Sequence, residues 1–398
     1  MKKYTLPLCL LALMLVLTSC MRIELKDPPS PSQSVTSSNT TASTTEAPTT
    51  EPEPAPTEPP LPSFDTPLWT GADETAQTFL QSDTVVDCSK REYSYSEMEE
   101  DLQMLAAVYP TRFSYRSFGK TVLGRNLYVA ILGNPAASKQ ILVSAGIHGR
   151  EYLTPLLAMK QIEFYLAYYD SGIYQEQSYA SLFENVCFYI VPMTNPDGIM
   201  LSQGGIDTVS DSAVKQQIIH TYSRDFNEHY TNQTQINEYL KIWKANANGV
   251  DLNRNYNALW EEYDGIDRPS LRNYKGPAPE SEPETRAMVA LANSIPNVQA
   301  VICLHSQGEV LYWNCGQETE LRDETLRFTQ SVSDANGYLI ITKQNNDASL
   351  SDWCALKRNL IAITVETGVD ACPLPITQFP TIWTQNYDLL ALSAKYFG

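Results

Sequence analysis

Residues 140–157 read QILVSAGIHGREYLTPLL, and this stretch decides the fold class. Its apolar start, which a glycine follows, predicts a short buried strand over residues 140–145. The residues after the turn predict a helix over 153–169. A strand that is apolar on both faces and leads into a helix is typical of parallel sheets that helices cover on both sides.

The same alternation of strands and helices continues along most of the chain. Apolar runs and helical spacing predict further strands over 127–132, 186–192, 298–304 and 361–365, and further helices over 95–109, 284–292 and 381–396. We therefore expect a single α/β domain with a mixed, mostly parallel central sheet covered by helices on both faces. In such sheets the binding site lies beyond the carboxyl ends of the strands.

Polar residues follow three of the predicted strands. His148 and Glu151 come after the strand quoted first, His305 follows a second strand, and Glu366 follows the last one. Two imidazoles and one carboxylate are a ligand set of catalytic zinc sites, which keep a fourth position open for water. We therefore expect His148, Glu151 and His305 to bind one Zn²⁺ per chain. Two unrelated histidines that bond to the backbone are the alternative.

Glu366 stands directly after an apolar strand, in the sequence Glu-Thr-Gly. Burying a carboxylate without a partner is costly, so this residue should either be paired or take part in chemistry. Beside a zinc-activated water it would accept the proton and later pass it to the leaving amine. A structural ion pair is the alternative.

A third polar segment, WKANANGVDLNRNY, occupies residues 243–256. In it Arg254 stands between Asn253 and Asn255, and a guanidinium can hold a planar carboxylate by two parallel hydrogen bonds. We therefore expect this segment to bind the free carboxylate of a substrate.

Five motifs in one order resemble the zinc carboxypeptidases of the carboxypeptidase A type. They are HGRE at 148–151, NPDG at 195–198, GVDLNRN at 249–255, LHS at 304–306 and ETG at 366–368. The resemblance covers about residues 93–398, and it implies the same zinc ligands and the same general base. It also implies that Arg254 and Asn253 hold the substrate carboxylate, and that Arg150 adds positive charge to that subsite. Asp251 would orient the first zinc histidine and fix its tautomer.

Lys244 departs from the animal digestive enzymes, which carry an arginine after the tryptophan that corresponds to Trp243. A lysine can stabilise the charge of the tetrahedral intermediate, but without a forked geometry. The form Trp-Lys-Ala-Asn resembles the bacterial members of the family that cut cell-wall peptides. So does the long insertion between residues 198 and 243, which we expect to form a wall or lid over the cleft.

The substrate pocket departs from the digestive enzymes as well. No tyrosine occurs in residues 343–352, where those enzymes carry the tyrosine that caps bound substrate. The position at the base of the pocket falls at Ser351, next to Asp352. This indicates neither a strongly acidic floor nor a purely apolar one.

The start of the chain has the pattern of an export signal. Lys2 and Lys3 precede an apolar run over 6–17, which is too short to span a bilayer comfortably, and the run leads to Cys20. The segment resembles a bacterial lipoprotein signal, which implies that Cys20 is lipidated; an ordinary cleaved signal is the alternative. We divide the chain into a signal peptide (1–19), the lipidated cysteine with a disordered stalk rich in Pro, Ser and Thr (20–63), an N-terminal extension (64–92) and a catalytic domain (93–398).

Charge and cysteine content exclude other classes of protein. The chain has 28 Lys and Arg against 46 Asp and Glu, a net charge of −18, which argues against a nucleic-acid partner. Eight cysteines in 398 residues are too few for a disulfide scaffold. Cys187 and Cys303 lie in apolar strands and should be buried, whereas the spacing of the remaining ones leaves one disulfide open.

These expectations describe a bacterial zinc metallopeptidase that is extracytoplasmic and lipid-anchored to the cell membrane. Its preferred substrate would be a peptidoglycan stem peptide, cut between a γ-linked D-glutamate and a diamino acid whose carboxylate meets Arg254. A general metallocarboxypeptidase that acts on ordinary peptides is one alternative. A surface-binding lipoprotein without catalysis is another, and an amidase or deacylase that does not need Arg254 is a third.

Overall fold

The computed structural model describes residues 74–82, 84–226, 232–344 and 346–398. The predicted signal peptide, Cys20 and the stalk lie outside these residues, as does the start of the predicted extension. Within the described part of the chain, no helix combines the length and the apolar character needed to cross a membrane.

Among the described residues, a sheet of eight strands forms the centre of the domain. In chain order the strands are β1 (Phe113–Lys120), β2 (Asn126–Leu132), β3 (Lys139–Ser144), the small separate pair β4 (Ile173–Tyr174) and β5 (Gln177–Ser178), β6 (Val186–Val191), β7 (Val298–His305), β8 (Val310–Tyr312), β9 (Leu339–Ile341) and β10 (Ile361–Glu366). The strand order in the main sheet is β1-β2-β6-β3-β7-β10-β8-β9. The four central strands β6, β3, β7 and β10 are parallel, whereas β2 runs antiparallel to β1 and β6, and β8 runs antiparallel to β10. The predicted mixed, mostly parallel sheet is confirmed.

Twelve helices surround the sheet in the described residues. They are α1 (Glu74–Gln81), α2 (Tyr95–Val108), α3 (Leu153–Ala167), α4 (Tyr179–Asn185), α5 (Pro196–Gly204), α6 (Ser212–Asp225), α7 (Gln233–Leu240), α8 (Pro283–Ser294), α9 (Thr319–Asn336), α10 (Leu350–Arg358), α11 (Phe379–Asn386) and α12 (Leu389–Phe397).

Alternate residues of the central strands pack on opposite faces of the sheet, as the pleat requires. In β3, Ile141 and Val143 belong to the larger hydrophobic cluster, which α3, α11 and α12 complete. Leu142 belongs to a second cluster on the other face, which α8 and α10 complete. Helices therefore cover both faces of the sheet, as predicted.

The helix predicted over 381–396 was wrong, because two helices, α11 and α12, occupy this part of the chain. The break leaves main-chain carbonyl groups without the hydrogen bonds that a continuous helix would make to them. Side chains of α3 donate hydrogen bonds to these carbonyl groups instead. The side-chain amide of Gln161 donates to the carbonyl oxygen of Asn386 (2.6 Å), and the Tyr165 hydroxyl donates to that of Tyr387 (2.8 Å). Donors from a neighbouring helix thus compensate for the interruption.

The described part of the extension packs against α3 and α11. The Trp383 indole donates a hydrogen bond to the carbonyl oxygen of Ala76 (2.9 Å), and Glu163 accepts hydrogen bonds from the backbone N–H groups of Val85 and Val86. Lys160 pairs with Glu163 at 3.0 Å, and both side chains are buried. Residues 84–86 are therefore held by a buried ion pair of α3.

Cys187 and Cys303 are buried in the second cluster, as predicted. The six cysteines of the described residues are all free, so no disulfide forms among them.

Candidate active site and metal centre

The carboxyl ends of neighbouring parallel strands form the floor of the candidate site. Glu366 at the end of β10 pairs in register with His305 at the end of β7. Strand β3 pairs with the other edge of β7 and leads into the turn that carries His148 and Glu151. The sheet thus brings together side chains that are far apart along the chain.

His148, Glu151 and His305 form a buried cluster whose ligand atoms all lie within 4.8 Å of one another. Nδ1 of His148 is 2.8 Å from Oε1 of Glu151, and Nδ1 of His305 is 3.1 Å from Oε2 of the same carboxylate. Although burial favours the protonated acid, the charges of His148 and Lys244 hold the pKa of Glu151 well below its usual range. Two imidazole nitrogens and an ionised carboxylate that converge on one point fit Zn²⁺.

The second nitrogen of each imidazole faces a polar side chain. Asp251, which is completely buried, lies 3.2 Å from Nε2 of His148, and the Asn253 amide lies 3.5 Å from Nε2 of His305. Asp251 also accepts hydrogen bonds from the backbone N–H groups of Asn253 and Asn273. Burial alone would raise the pKa of Asp251, but His148 and Arg254 lower it far below its usual range. A fixed carboxylate at Nε2 leaves Nδ1 of His148 free for a metal.

Asn195 connects the metal-ligand turn to the segment that carries Lys244. Its completely buried amide donates to the carbonyl oxygens of Ile147 (3.1 Å) and Ala245 (3.0 Å). The backbone N–H of Gly149 adds a hydrogen bond to the carbonyl oxygen of Lys244 (3.1 Å). The NPDG motif, to which the sequence assigned no role, therefore joins two parts of the site.

Lys244 extends its ammonium to within 3.6 Å of Oε1 of Glu151. The neighbouring Trp243 is completely buried and contacts Tyr239 edge-on, with ring centroids 5.6 Å apart. Tyr239 lies on α7, so the insertion packs behind Trp243. The described residues of 199–242 line no part of the cavity beside the metal cluster. The apolar side chains of the described insertion residues bury Trp243, and the prediction that the insertion forms a wall or lid over the cleft stays a prediction.

A cavity of about 170 Å³ opens beside the metal cluster. Its lining residues are His148, Lys244, Asn253, Arg254, His305, Tyr312, Asp347, Ser349, Ser351, Thr364 and Glu366. Seven of these were predicted as site residues, and Tyr312, Asp347, Ser349 and Thr364 were missed. Thr364 precedes Glu366 by two positions in a strand, so the two share a face and the alternation could have revealed it. The other three offered no such signal.

Arg150 does not line this cavity. It stands between two metal ligands that point into the site, and its Nε is buried without a hydrogen-bond partner among the described residues. The predicted contribution of the Arg150 charge to the carboxylate subsite stays a prediction, because a charge can act on a ligand without lining the cavity.

Arg254 is held in place by residues on several sides. Its Nη1 donates to the carbonyl oxygen of Asn253 (2.8 Å), its Nη2 is 3.6 Å from Oδ2 of Asp347, and its guanidinium lies 5.3 Å from the ring centroid of Tyr263. Burial opposes the charge, but Asp251 and Asp347 outweigh it and raise the pKa of Arg254. The site therefore contains a permanent cation that faces the cavity.

Glu366 lines the same cavity as this cation. Burial raises the pKa of Glu366 to about 7. The negative charge of Glu151 also raises this pKa, whereas His305 lowers it. A carboxyl group with a pKa near neutrality is suited to accept a proton and to return it.

Hydroxyl groups form another part of the cavity wall. The Ser351 hydroxyl is 3.1 Å from that of Ser349 and 3.2 Å from that of Thr364. Ser351 thus lines the cavity as predicted, and the hydroxyls that its own hydroxyl contacts are polar and uncharged.

Comparisons with known proteins agree with this geometry. Residues 98–389 match the family model described as zinc carboxypeptidase. The γ-D-glutamyl-L-diamino acid endopeptidase 1 of Lysinibacillus sphaericus is 31% identical over 299 residues, which cover 74% of this chain and 70% of that protein. Among solved structures, thrombin-activatable fibrinolysis inhibitor aligns with a TM-score of 0.62 at 18% identity, over 81% of this chain and 82% of that one. The carboxypeptidase A of Helicoverpa armigera aligns with a TM-score of 0.59 at 17% identity, over 81% and 79% of the two chains. Both structures share the fold.

Proposed function

The chain belongs to the zinc carboxypeptidase family and is a zinc-dependent peptide hydrolase, and we propose that it acts on peptidoglycan stem peptides. The bond cut would join a γ-linked D-glutamate to a diamino acid. The observation that carries this proposal is the polar cavity beside the metal cluster, in which the cation Arg254 and the carboxylate of Asp347 lie close to each other. The name of the Lysinibacillus relative supports the same bond.

His148, Glu151 and His305 would hold the zinc ion, with Asp251 fixing the orientation of the first histidine. Zinc bound there would polarise the scissile carbonyl group and lower the pKa of a water molecule.

Glu366 would accept the proton of the attacking water and transfer it to the nitrogen of the leaving amine. A divalent cation nearby favours the ionised carboxylate, which is the form that accepts a proton. The pairing of Glu366 in register with His305 supports this role.

Lys244 would stabilise the negative charge that develops on the carbonyl oxygen during the attack. Its ammonium faces the cavity and lies on the metal side, 3.6 Å from Glu151.

Arg254 and Asn253 would bind the carboxylate of the residue that leaves as the amine. When that residue ends the chain, the enzyme acts as a carboxypeptidase; when the stem continues, the same cut is an endopeptidase reaction. A general metallocarboxypeptidase would use the same residues on ordinary peptides.

Mass spectrometry of muropeptides incubated with the purified chain tests this proposal, with the Glu366→Gln variant as the control. Loss of the diamino acid or cleavage after γ-glutamate, absent in the control, is the expected result. Unchanged muropeptides together with release of C-terminal residues from ordinary peptides would show a general carboxypeptidase instead. If neither substrate is cut and the purified chain binds no zinc, the non-catalytic alternative replaces the proposal.

We further propose that the protein is exported and anchored to the membrane by a lipid on Cys20. The support is the signal-like sequence of residues 1–20. Incorporation of a labelled fatty acid in the producing bacterium, which the Cys20→Ser variant should lose, tests this anchor. A wild-type chain that takes up no label would contradict it.

A further inference from the structure

The cavity beside the metal cluster has a lining in which every residue carries a polar group. The charged groups near its carboxylate-binding end are Arg254 and Asp347, and the hydroxyls of Tyr312, Ser349 and Ser351 complete the wall. A hydrocarbon side chain bound there would remove these groups from water without replacing their hydrogen bonds, which is unfavourable. The lining is therefore suited to a substrate side chain with polar or charged atoms of its own.

Asp347 is held at this cavity by a network that the buried Asp352 organises. The Asp352 carboxylate accepts hydrogen bonds from the backbone N–H groups of Asp347 (2.9 Å) and Ser349 (3.0 Å) and from the Ser349 hydroxyl (2.8 Å). Between them, the buried Ala348 adopts a φ of +53°, which is uncommon for a residue with a side chain. The loop conformation that presents Asp347 is thus specified by several contacts.

The Asp347 carboxylate keeps hydrogen-bonding capacity for a ligand. Its Oδ2 is 3.6 Å from Nη2 of Arg254, which is longer than a hydrogen bond. No donor in the described residues makes a hydrogen bond to this carboxylate, and its side chain is 26% exposed. Arg254 directs Nη1 to a backbone carbonyl and lies against Tyr263 instead. An ionised carboxylate has about four acceptor positions, so Asp347 can accept hydrogen bonds from a cation.

We infer that Asp347 is a specificity-determining residue that binds an ammonium group on the substrate residue whose carboxylate Arg254 holds. The cavity would then select residues with a second amino group, such as a diamino acid or lysine, over neutral residues of the same length. The inference rests on the proposed role of the carboxylate site, and it names the chemical feature that the site recognises. A site that hydrogen-bonds a substrate group rejects the analogue without that group, because its own polar atoms are then left unpaired.

Matched substrates that differ only in the ammonium group test the inference. We would measure kcat/KM of the full chain on γ-D-glutamyl-L-lysine, γ-D-glutamyl-meso-diaminopimelate and γ-D-glutamyl-L-norleucine, and on hippuryl-lysine and hippuryl-norleucine. The wild-type chain should prefer the substrates with the ammonium group by about tenfold or more. The Asp347→Asn variant should lose most of that preference, because cleavage of the substrates with an ammonium group should slow by more than cleavage of the norleucine substrates.

The control variant is Asp267→Asn, because that carboxylate is 85% exposed and its ion pair among the described residues is with the neighbouring Arg268. It should keep the wild-type preference. Equal rates on lysine and norleucine substrates in the wild type, or a preference that survives Asp347→Asn, would overturn the inference. A chain that does not cut the γ-glutamyl substrates can still prefer hippuryl-lysine to hippuryl-norleucine. If Asp347→Asn removes that preference, the cell-wall proposal fails and the inference on Asp347 stands.

Discussion

The ammonium of Lys244 lies 3.6 Å from Oε1 of Glu151, so the cation proposed to stabilise the oxyanion faces a ligand of the metal site. Asn195 maintains this relationship, because its amide bonds to both the His148 turn and the segment after Lys244. The backbone position of Lys244 is therefore fixed by a contact between distant segments of the fold.

Replacement of Lys244 by Met should reduce kcat by about 10² to 10³, because the variant keeps the length of the side chain but loses its charge. KM should change little, since the charge acts on the developing oxyanion. The zinc affinity of the variant should be equal to or higher than that of the wild type, because Lys244 competes with the metal for the Glu151 carboxylate. Steady-state kinetics and zinc titration measure both effects.

Lys244→Arg is the matched control and should recover most of the activity, because it restores the charge. A Lys244→Met variant whose KM rises while kcat is unchanged would mean that Lys244 binds substrate in the ground state.

Asp251→Asn should weaken zinc binding by about 10- to 100-fold, the usual effect of removing the partner of a metal-bound histidine. The carboxylate faces Nε2 of His148 at 3.2 Å and orients the ring. Titration with a competing chelator measures the zinc affinity, and Asp267→Asn on the surface serves as the control. Unchanged affinity in Asp251→Asn would show that the surrounding turn orients the histidine without the carboxylate.

Glu163→Gln should destabilise the fold by about 3 kcal/mol, because it leaves the buried charge of Lys160 without its partner. It should also increase proteolytic cleavage near residues 84–86, which Glu163 holds through two backbone hydrogen bonds. Glu238→Gln removes an ion pair of the same spacing that is exposed, 2.6 Å from Lys241. This control should cost less than about 1 kcal/mol in urea unfolding. An equal loss of unfolding free energy in Glu163→Gln and Glu238→Gln would mean that the burial of the Lys160 ion pair adds nothing to stability.

The stability of the protein should depend on pH through Glu284. Complete burial raises the pKa of this carboxyl group to about 7, and Asp197 and Glu282 add repulsion. The folded state therefore keeps a proton that the unfolded chain loses above pH of about 4.5, the ordinary value for Glu. Because the folded state binds more protons between these two pKa values, the contribution of Glu284 to stability falls as the pH rises through this window.

Glu284→Gln removes this penalty and should stabilise the protein at pH 8 by on the order of 2 kcal/mol, with a smaller gain at pH 5. Urea unfolding at the two pH values measures the difference, and the exposed Glu262→Gln is the control. A gain that is the same at pH 5 and pH 8 would exclude ionisation of Glu284 as the cause.

The central strands and the metal ligands could be predicted from sequence because their signals are local. A strand buried on both faces reads as a continuous apolar run, as residues 140–145 do, and zinc requires histidine and carboxylate side chains at its ends. Strands β1, β8 and β9 were missed, because β8 and β9 have only three residues each and β1 is largely exposed. Their pairing depends on neighbours that are distant in the chain.

The sequence by itself determined the fold class, the zinc ligands and the candidate base, since each rests on residue type at a strand end. Only the tertiary structure decided which side chains share the cavity. Asp347 reaches it because Asp352 and the backbone of Ala348 shape the loop. Asn195 joins two segments that are each about fifty residues from it along the chain. The tertiary structure also decided that residues of the insertion pack against Trp243. It decided as well that Gln161 of α3 donates a hydrogen bond to a carbonyl group at the break before α12. Contacts between distant segments depend on how the whole chain packs, and no local pattern of residues records that packing.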